Sequence, residues 1–410
     1  MTGPRVEIDT ASLIDRLERL GAIGAIPGGG NARLALTDED KAGRDLVVGW
    51  MKELGLRVGV DAIGNVVAVR AGTEDTAPVM IGSHIDTVRT GGRYDGNLGV
   101  LAGLELCVAL DRAGVRTRRP IAVAFFTNEE GSRFQPDMLG SLVYVGGMFL
   151  NEAYAATSID GRGLGDELAR IGYRGDLPPG FLRPAAFVEL HIEQGPILEA
   201  EGVTIGAVTG VQGISWTEFT LTGVSNHAGT TPMRLRRDAG YAATAIATVV
   251  REIVSEMGGN QVGTVGRIEL APNLVNVVAS RATFTVDLRN TDEAALKDAE
   301  AKLADLVTRV CAREQVDTAS RRLARFEPVE FDPTIVSLVE AKARARGFRC
   351  RRMPSGAGHD AQMLARICPT GMIFVPSVRG LSHNVAEYTS AADLDAGAKV
   401  LVDVVLELAS

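Results

Sequence analysis

Apolar residues in this chain collect into short unbroken runs that stop abruptly on polar groups. Val79-Met-Ile-Gly-Ser83 leads into His84-Ile-Asp86, and Pro120-Ile-Ala-Val-Ala-Phe-Phe-Thr-Asn128 leads into Glu129-Glu130. A third run, Ala186-Phe-Val-Glu-Leu190, leads into His191-Ile-Glu-Gln194. Such runs predict strands buried on both faces of a parallel sheet. Further strands are predicted over 57–60, 65–70 and 372–376. Helical spacing in Leu46, Val47, Trp50, Met51 and Leu54 closes a helical region that begins near Asp9 and is broken by a glycine-rich loop at 28–33. Helices over 99–113 and 334–347 separate the later strands. Alternating strand and helix gives a mostly parallel α/β sheet covered on both faces.

The stretch from 213 to 330 follows another rhythm. A strand over 215–222, a helix over 237–257, strands over 264–270 and 278–288, a helix over 292–314 and a strand over 321–327 form the order βαββαβ. That is the ferredoxin-like pattern. The α/β pattern resumes near Pro333. The expectation is an α/β domain built from 1–212 and 331–410, with 213–330 inserted as a second domain.

Composition narrows the class. A chain of 410 residues exceeds one ordinary core, in keeping with two domains. Hydrophobic content of 46% with 23% charged residues fits a globular protein, and a net charge of -8 gives no support to nucleic-acid binding. No run approaches membrane-spanning length and the N-terminus carries no apolar signal core, so a cytoplasmic enzyme without membrane partners is expected. Cys107, Cys311, Cys350 and Cys368 are scattered, which excludes a zinc ribbon and disfavours a disulfide framework.

The chemistry gathers where the strands end. Of five histidines, His84, His191 and His383 each follow an apolar strand, whereas His227 and His359 lie in glycine-rich contexts. Asp95 sits in the loop Gly91-Gly-Arg-Tyr-Asp-Gly-Asn97. Adjacent carboxylates at Glu129 and Glu130 repel one another at a buried strand end unless cations are near. One can ligate metal while the other shuttles protons. Asp86, two residues beyond His84, can reach back to hold its imidazole. Imidazoles and carboxylates at the carboxyl ends of sheet strands point to a metal-dependent hydrolase.

Eight stretches in order, spanning nearly the whole chain, resemble the M20 metallopeptidase-like superfamily. They are Gly82-Ser-His-Ile-Asp-Thr87, Tyr94-Asp-Gly-Asn97, Asn128-Glu-Glu-Gly-Ser-Arg-Phe134, Glu189-Leu-His-Ile-Glu-Gln-Gly195, Ser225-Asn-His-Ala-Gly-Thr-Thr-Pro232, Pro272-Asn-Leu-Val-Asn276, Ser355-Gly-Ala-Gly-His-Asp360 and Leu381-Ser-His-Asn384. The branch they resemble is the hydantoinase/carbamoylase amidases: N-carbamoyl-L-amino acid hydrolases, β-ureidopropionases and allantoate amidohydrolases. Peptidases of the superfamily usually place a carboxylate where His191 stands.

The resemblance implies two divalent metal ions per subunit, zinc foremost, with manganese or cobalt also suited to these ligands. His84, Asp95 and His191 would hold one ion and Asp95, Glu130 and His383 the other, with Asp95 bridging. Glu129 would be the general base, and His227 the oxyanion donor. Arg289 and Asn276 would bind the substrate carboxylate, while Gln194 and the backbone around Gly358 would read the ureido group. His359 and Asp360 match a motif but receive no ligand role. Trp216 stands where allantoate amidohydrolases tend to carry arginine, which favours a substrate with one carboxylate.

The expected reaction releases an L-amino acid, ammonia and carbon dioxide from an N-carbamoyl amino acid. Allantoate or another ureido acid is the alternative, followed by an aminoacylase or dipeptidase. A metal-loaded binding protein without catalysis is disfavoured by Glu129. The resemblance further implies a homodimer through the inserted domain, with closure about hinges near 211–213 and Pro328.

Overall fold

The computed structural model describes residues 6–410. The chain divides into two compact units, one reaching Gly210 and resuming over Glu330–Ser410, the other spanning Val211–Val329. In chain order the strands are β1 (Arg57–Val60), β2 (Val66–Arg70), β3 (Val79–His84), β4 (Ile121–Phe126), β5 (Ala186–Ile192) and β6 (Ile205–Val211). Next come β7 (Gly213–Thr222), β8 (Val262–Ala271), β9 (Arg281–Asn290) and β10 (Asp317–Phe326), then β11 (Val329–Glu330), β12 (Cys350–Ser355) and β13 (Thr370–Val375).

In the first unit nine strands form one sheet in the order β1-β2-β4-β3-β5-β13-β6-β11, with β12 also paired to β6. Its central strands run parallel: β3 with β4, β3 with β5, and β5 with β13. The flanks are antiparallel at β1–β2, β2–β4 and β6–β13. All residues of β3, β4, β5 and β13 are buried, which accounts for apolar runs without alternation. The helix Asn97–Arg112 packs on β3 and β5, and the C-terminal helix Ala391–Leu408 packs on β13 and β5. At Gly99 a Cβ would lie 2.7 Å from the Leu190 carbonyl oxygen, so glycine lets this helix seat against the sheet.

Several boundaries depart from the sequence reading. The strand expected to reach residue 128 stops at Phe126, because Asn128 adopts φ 58° and turns the chain. Strands β6 and β12 and the C-terminal helix had no counterpart in that reading. No helix among the described residues is long and apolar enough to cross a membrane.

The second unit is a four-stranded antiparallel sheet, order β10-β7-β9-β8, carrying the helices Ala239–Met257 and Glu293–Glu314. Burial alternates along β9, so one face meets the helices. Phe219 and Phe284, directly paired across β7 and β9, stack there with ring centres 5.2 Å apart. Strand β10 begins at Asp317 rather than near residue 321. Its first seven residues are exposed, so no apolar alternation announces it.

Candidate metal centre

Four neighbouring strands deliver their carboxyl ends to one rim. His84 closes β3 opposite Phe126 of β4, and His191 in β5 stands opposite Phe374 of β13. Adjacent strands lie about 4.8 Å apart, so groups emerging from successive ends meet. The left-handed turn at Asn128 brings Glu129 and Glu130 back over the rim, and the loop after β13 carries His383 with φ 52°.

Asp95 lies at the middle. Its Oδ1 is 3.6 Å from His84 Nε2 and 3.1 Å from His191 Nε2, while Oδ2 is 3.6 Å from His383 Nε2. His383 Nε2 also approaches Glu130 at 3.2 Å, and His84 Nε2 lies 3.4 Å from Glu129. Potential ligand atoms therefore form two groups that share Asp95, His84–Asp95–His191 and Asp95–Glu130–His383, each within 4.8 Å. Gly96 follows Asp95 with φ 66°, and a Cβ there would fall 2.4 Å from the His84 ring. Only glycine permits that approach.

The donor set fits metal. His84 Nδ1 donates to the Asp86 carbonyl at 2.9 Å and His191 Nδ1 to the Ile192 carbonyl at 2.8 Å. Both rings thus turn Nε2 toward Asp95 in the tautomer a metal requires. Burial alone would depress both imidazoles, but the carboxylates of Glu129 and Asp95 hold His84 well above its usual value, and Asp95 with Glu189 raises His191. Burial opposes charge on Asp95, yet His191 and His84 hold it well below the usual carboxylate range. Glu129 goes the other way: burial, reinforced by Asp360 and Glu130, lifts it well above a normal glutamate despite His84. Its bond to Glu130 raises His383 to about 9. Crowded carboxylates that recruit protons onto histidines are groups that divalent cations would relieve.

One expectation needs correction. Asp86 holds His84 through its backbone carbonyl, not its carboxylate. The carboxylate instead accepts the backbone N–H groups of Glu129 and Glu130, at 3.3 and 3.4 Å. Gln194 Nε2 donates to Asp95 Oδ2 at 2.8 Å, while its Oε1 is buried without a hydrogen-bond partner. Gly358 lies in the loop before the helix Asp360–Leu364, where a Cβ would meet Met138 Cε at 2.8 Å. His359, given no ligand role from sequence, packs edge-on against His191 with ring centres 4.6 Å apart and bonds Ser355 Oγ. It also groups with Glu189 and His191 within ligand range.

In the second unit the substrate candidates separate. His227 and Asn276 stand on adjoining loops, zipped by Ala228 N–H to the Asn276 carbonyl at 2.9 Å. His227 Nδ1 accepts the Gly229 N–H at 3.1 Å. Arg289 lies toward the far end of β9, roughly 26 Å along the strand from its first residue, Arg281, at about 3.3 Å per residue, opposite Ile214 and Val262. Its guanidinium pairs with Asp287 at 2.9 Å and lies over the Trp216 ring at 5.8 Å. Asp287 and Trp216 face each other across the strands. Sequence reasoning overlooked Asp287, although residues two apart on a strand share a face.

It also overlooked the half-buried Ser382 and the buried Glu387 and Glu189, polar groups that touch the site. Ser382 Oγ reaches Asp95 Oδ2 at 2.8 Å, and Glu189 accepts Ser83 Oγ at 2.6 Å and the Ala361 N–H at 2.9 Å. Burial, with Asp95 close by, lifts Glu387 to about 7.

Comparison with known proteins places these residues in a family. The model for peptidase family M20/M25/M40 matches residues 80–407. The chain is 44% identical to an N-carbamoyl-L-amino-acid amidohydrolase of Rhizobium meliloti over 99% of its own length and 98% of that protein. It is 37% identical to an allantoate amidohydrolase of Escherichia coli, covering 96% and 97% of the two chains. A crystal structure of a hydantoinase/carbamoylase family amidase from Burkholderia multivorans superposes with a TM-score of 0.95 at 47% identity, covering 98% of each chain.

Proposed function

This chain belongs to peptidase family M20/M25/M40 and is a hydrolase of C–N bonds in linear amides; on that premise we propose that it is a two-cation amidohydrolase of N-carbamoyl-L-amino acids. The observation that carries this reading is Asp95, whose two oxygens face two separate groups of ligand atoms beside the buried Glu129. His84 and His191 would share one divalent cation with Asp95, and Glu130 and His383 the other. Such cations supply an acidified water and polarise the ureido carbonyl.

The chain's own residues do the rest. Glu129 accepts the water proton and returns it to the leaving nitrogen, a role suited to a carboxyl whose proton affinity burial has raised. Asp86 fixes the turn from which Glu129 projects. The departing carbamate decomposes to ammonia and carbon dioxide. Arg289 takes the substrate carboxylate in competition with Asp287, and Asn276, expected to share that carboxylate but bonded to the His227 loop, joins His227 at the oxyanion end instead. Their placement at opposite ends of β9 supports a homodimer in which one copy offers Arg289 and the other His227 and Asn276. Trp216 beside Arg289 offers a second carboxylate only an indole N–H and no positive charge, which favours N-carbamoyl amino acids over allantoate.

Ammonia release from N-carbamoyl amino acids, allantoate and dipeptides, before and after chelation, tests the proposal. Release from N-carbamoyl amino acids that chelation abolishes is expected. Turnover of dipeptides alone would sink it. Titrating the apoprotein with zinc, manganese and cobalt identifies the working ion.

A further inference from the structure

We propose that Glu387 is a positioning residue that suspends the Asp95 loop and fastens it to the loop bearing His383. This rests on the reading above that Asp95 and His383 are metal ligands. Glu387 is only 6% exposed. One carboxylate oxygen accepts the backbone N–H groups of Tyr94 at 2.9 Å and Asp95 at 3.2 Å. The other accepts the Ser382 hydroxyl at 3.0 Å. Its own N–H closes a turn on the Asn384 carbonyl at 3.0 Å, just beyond His383. A single side chain therefore grips the backbone of the bridging carboxylate and the residue preceding a histidine of the second group.

A separate, steric observation agrees. A Cβ on Gly92 would fall 2.0 Å from the Glu387 carboxylate oxygen and 2.2 Å from its carboxyl carbon. The glycine-rich loop before Asp95 is thus shaped around Glu387. The Ser382 hydroxyl adds a link to the ions. Its one hydrogen faces two carboxylate oxygens, Asp95 Oδ2 at 2.8 Å and Glu387 at 3.0 Å. A cation on Asp95 Oδ2 leaves that hydrogen to Glu387, so loading the site completes the tether. Residues that hold ligands in this way set metal affinity, typically by 10- to 100-fold.

The test uses the full-length wild type with Glu387→Gln, Gly92→Ala and the double variant. Glutamine keeps the volume but loses the charge and turns an NH₂ group on either the Tyr94 and Asp95 N–H groups or the Ser382 hydroxyl, whereas alanine at 92 displaces an unaltered glutamate. Metal affinity is read by competition with a chromogenic chelator, and the fold of each apoprotein by circular dichroism and thermal unfolding. Each single variant should bind zinc about 10- to 100-fold more weakly than wild type while its apoprotein keeps the wild-type spectrum. The double variant should be little worse than either single one, since both break one contact. Wild-type affinity in Glu387→Gln and Gly92→Ala overturns the inference, as do additive losses in the double variant. A wild type that retains no zinc instead overturns the metal-site reading, and is distinguished by that control alone.

Discussion

Asp86 Oδ1 accepts the backbone N–H of Glu129 at 3.3 Å, linking the strand that bears His84 to the turn that bears the proposed base. The same residue holds the His84 ring through its main-chain carbonyl. Its backbone and side chain thus serve different neighbours. Burial lifts the carboxyl to about 6 even beside His84.

Replacing Asp86 with Asn should separate those two services. The amide keeps one acceptor but turns an NH₂ group on the N–H of Glu129 or Glu130. Turnover is expected to fall about 10- to 100-fold with metal content unchanged, because the carbonyl that orients His84 remains. Elemental analysis beside steady-state kinetics checks this. Parallel loss of metal would return the carboxylate to a role on the imidazole.

Glu129→Gln should retain metal and lose turnover by about two to four orders of magnitude. Substrate binding to the inactive variant, followed calorimetrically, should persist. Loss of bound metal in this variant would show that Glu129 is a ligand and not the proton carrier.

Removing metal should weaken the fold as well as silence it. A cation bound only by the native state adds about 2.7 kcal/mol when its free concentration is 100 times the dissociation constant. Scanning calorimetry of holoprotein and chelated protein should show a lower melting temperature after chelation, restored by adding the ion. Identical transitions would mean that the two ligand groups hold nothing in solution.

A pH effect is expected outside the metal groups, at Asp61. Burial lifts its carboxyl to about 7, against partial relief from the Asn65 side chain and nearby N–H groups. An acid raised on folding contributes stability that is fully present below its unfolded value, near 3.9, and lost as pH rises through about 7. Asp61→Asn removes this slope. Urea unfolding at pH 5 and pH 8 should show the variant gaining on wild type at the higher pH. Equal differences at both would refute the assignment.

The four central strands could be read because burial on both faces leaves an uninterrupted apolar run, and the proposed ligands because each follows such a run. The start of strand β10, four residues ahead of the predicted strand, could not, since its exposed residues carry no alternation. Glu387 was hidden for another reason: it accepts the Asp95 N–H across 292 positions of sequence, and nothing local marks that pairing. The hold of Asp287 on Arg289 was legible from strand periodicity and was overlooked. Reading Arg289 as a substrate ligand had left no reason to look for a partner inside the protein.

Strand β13 enters the sheet beside β5 only after the whole second unit has been threaded, and His383 comes later still. A nascent chain leaving the ribosome can therefore assemble the His84–Asp95–His191 group well before the Asp95–Glu130–His383 group exists. On the proposed ligand set, competence is acquired last, so a polypeptide cut short before β13 would lack His383 and stay inert. Premature termination would then yield silent protein instead of a half-built hydrolase loose in the cell.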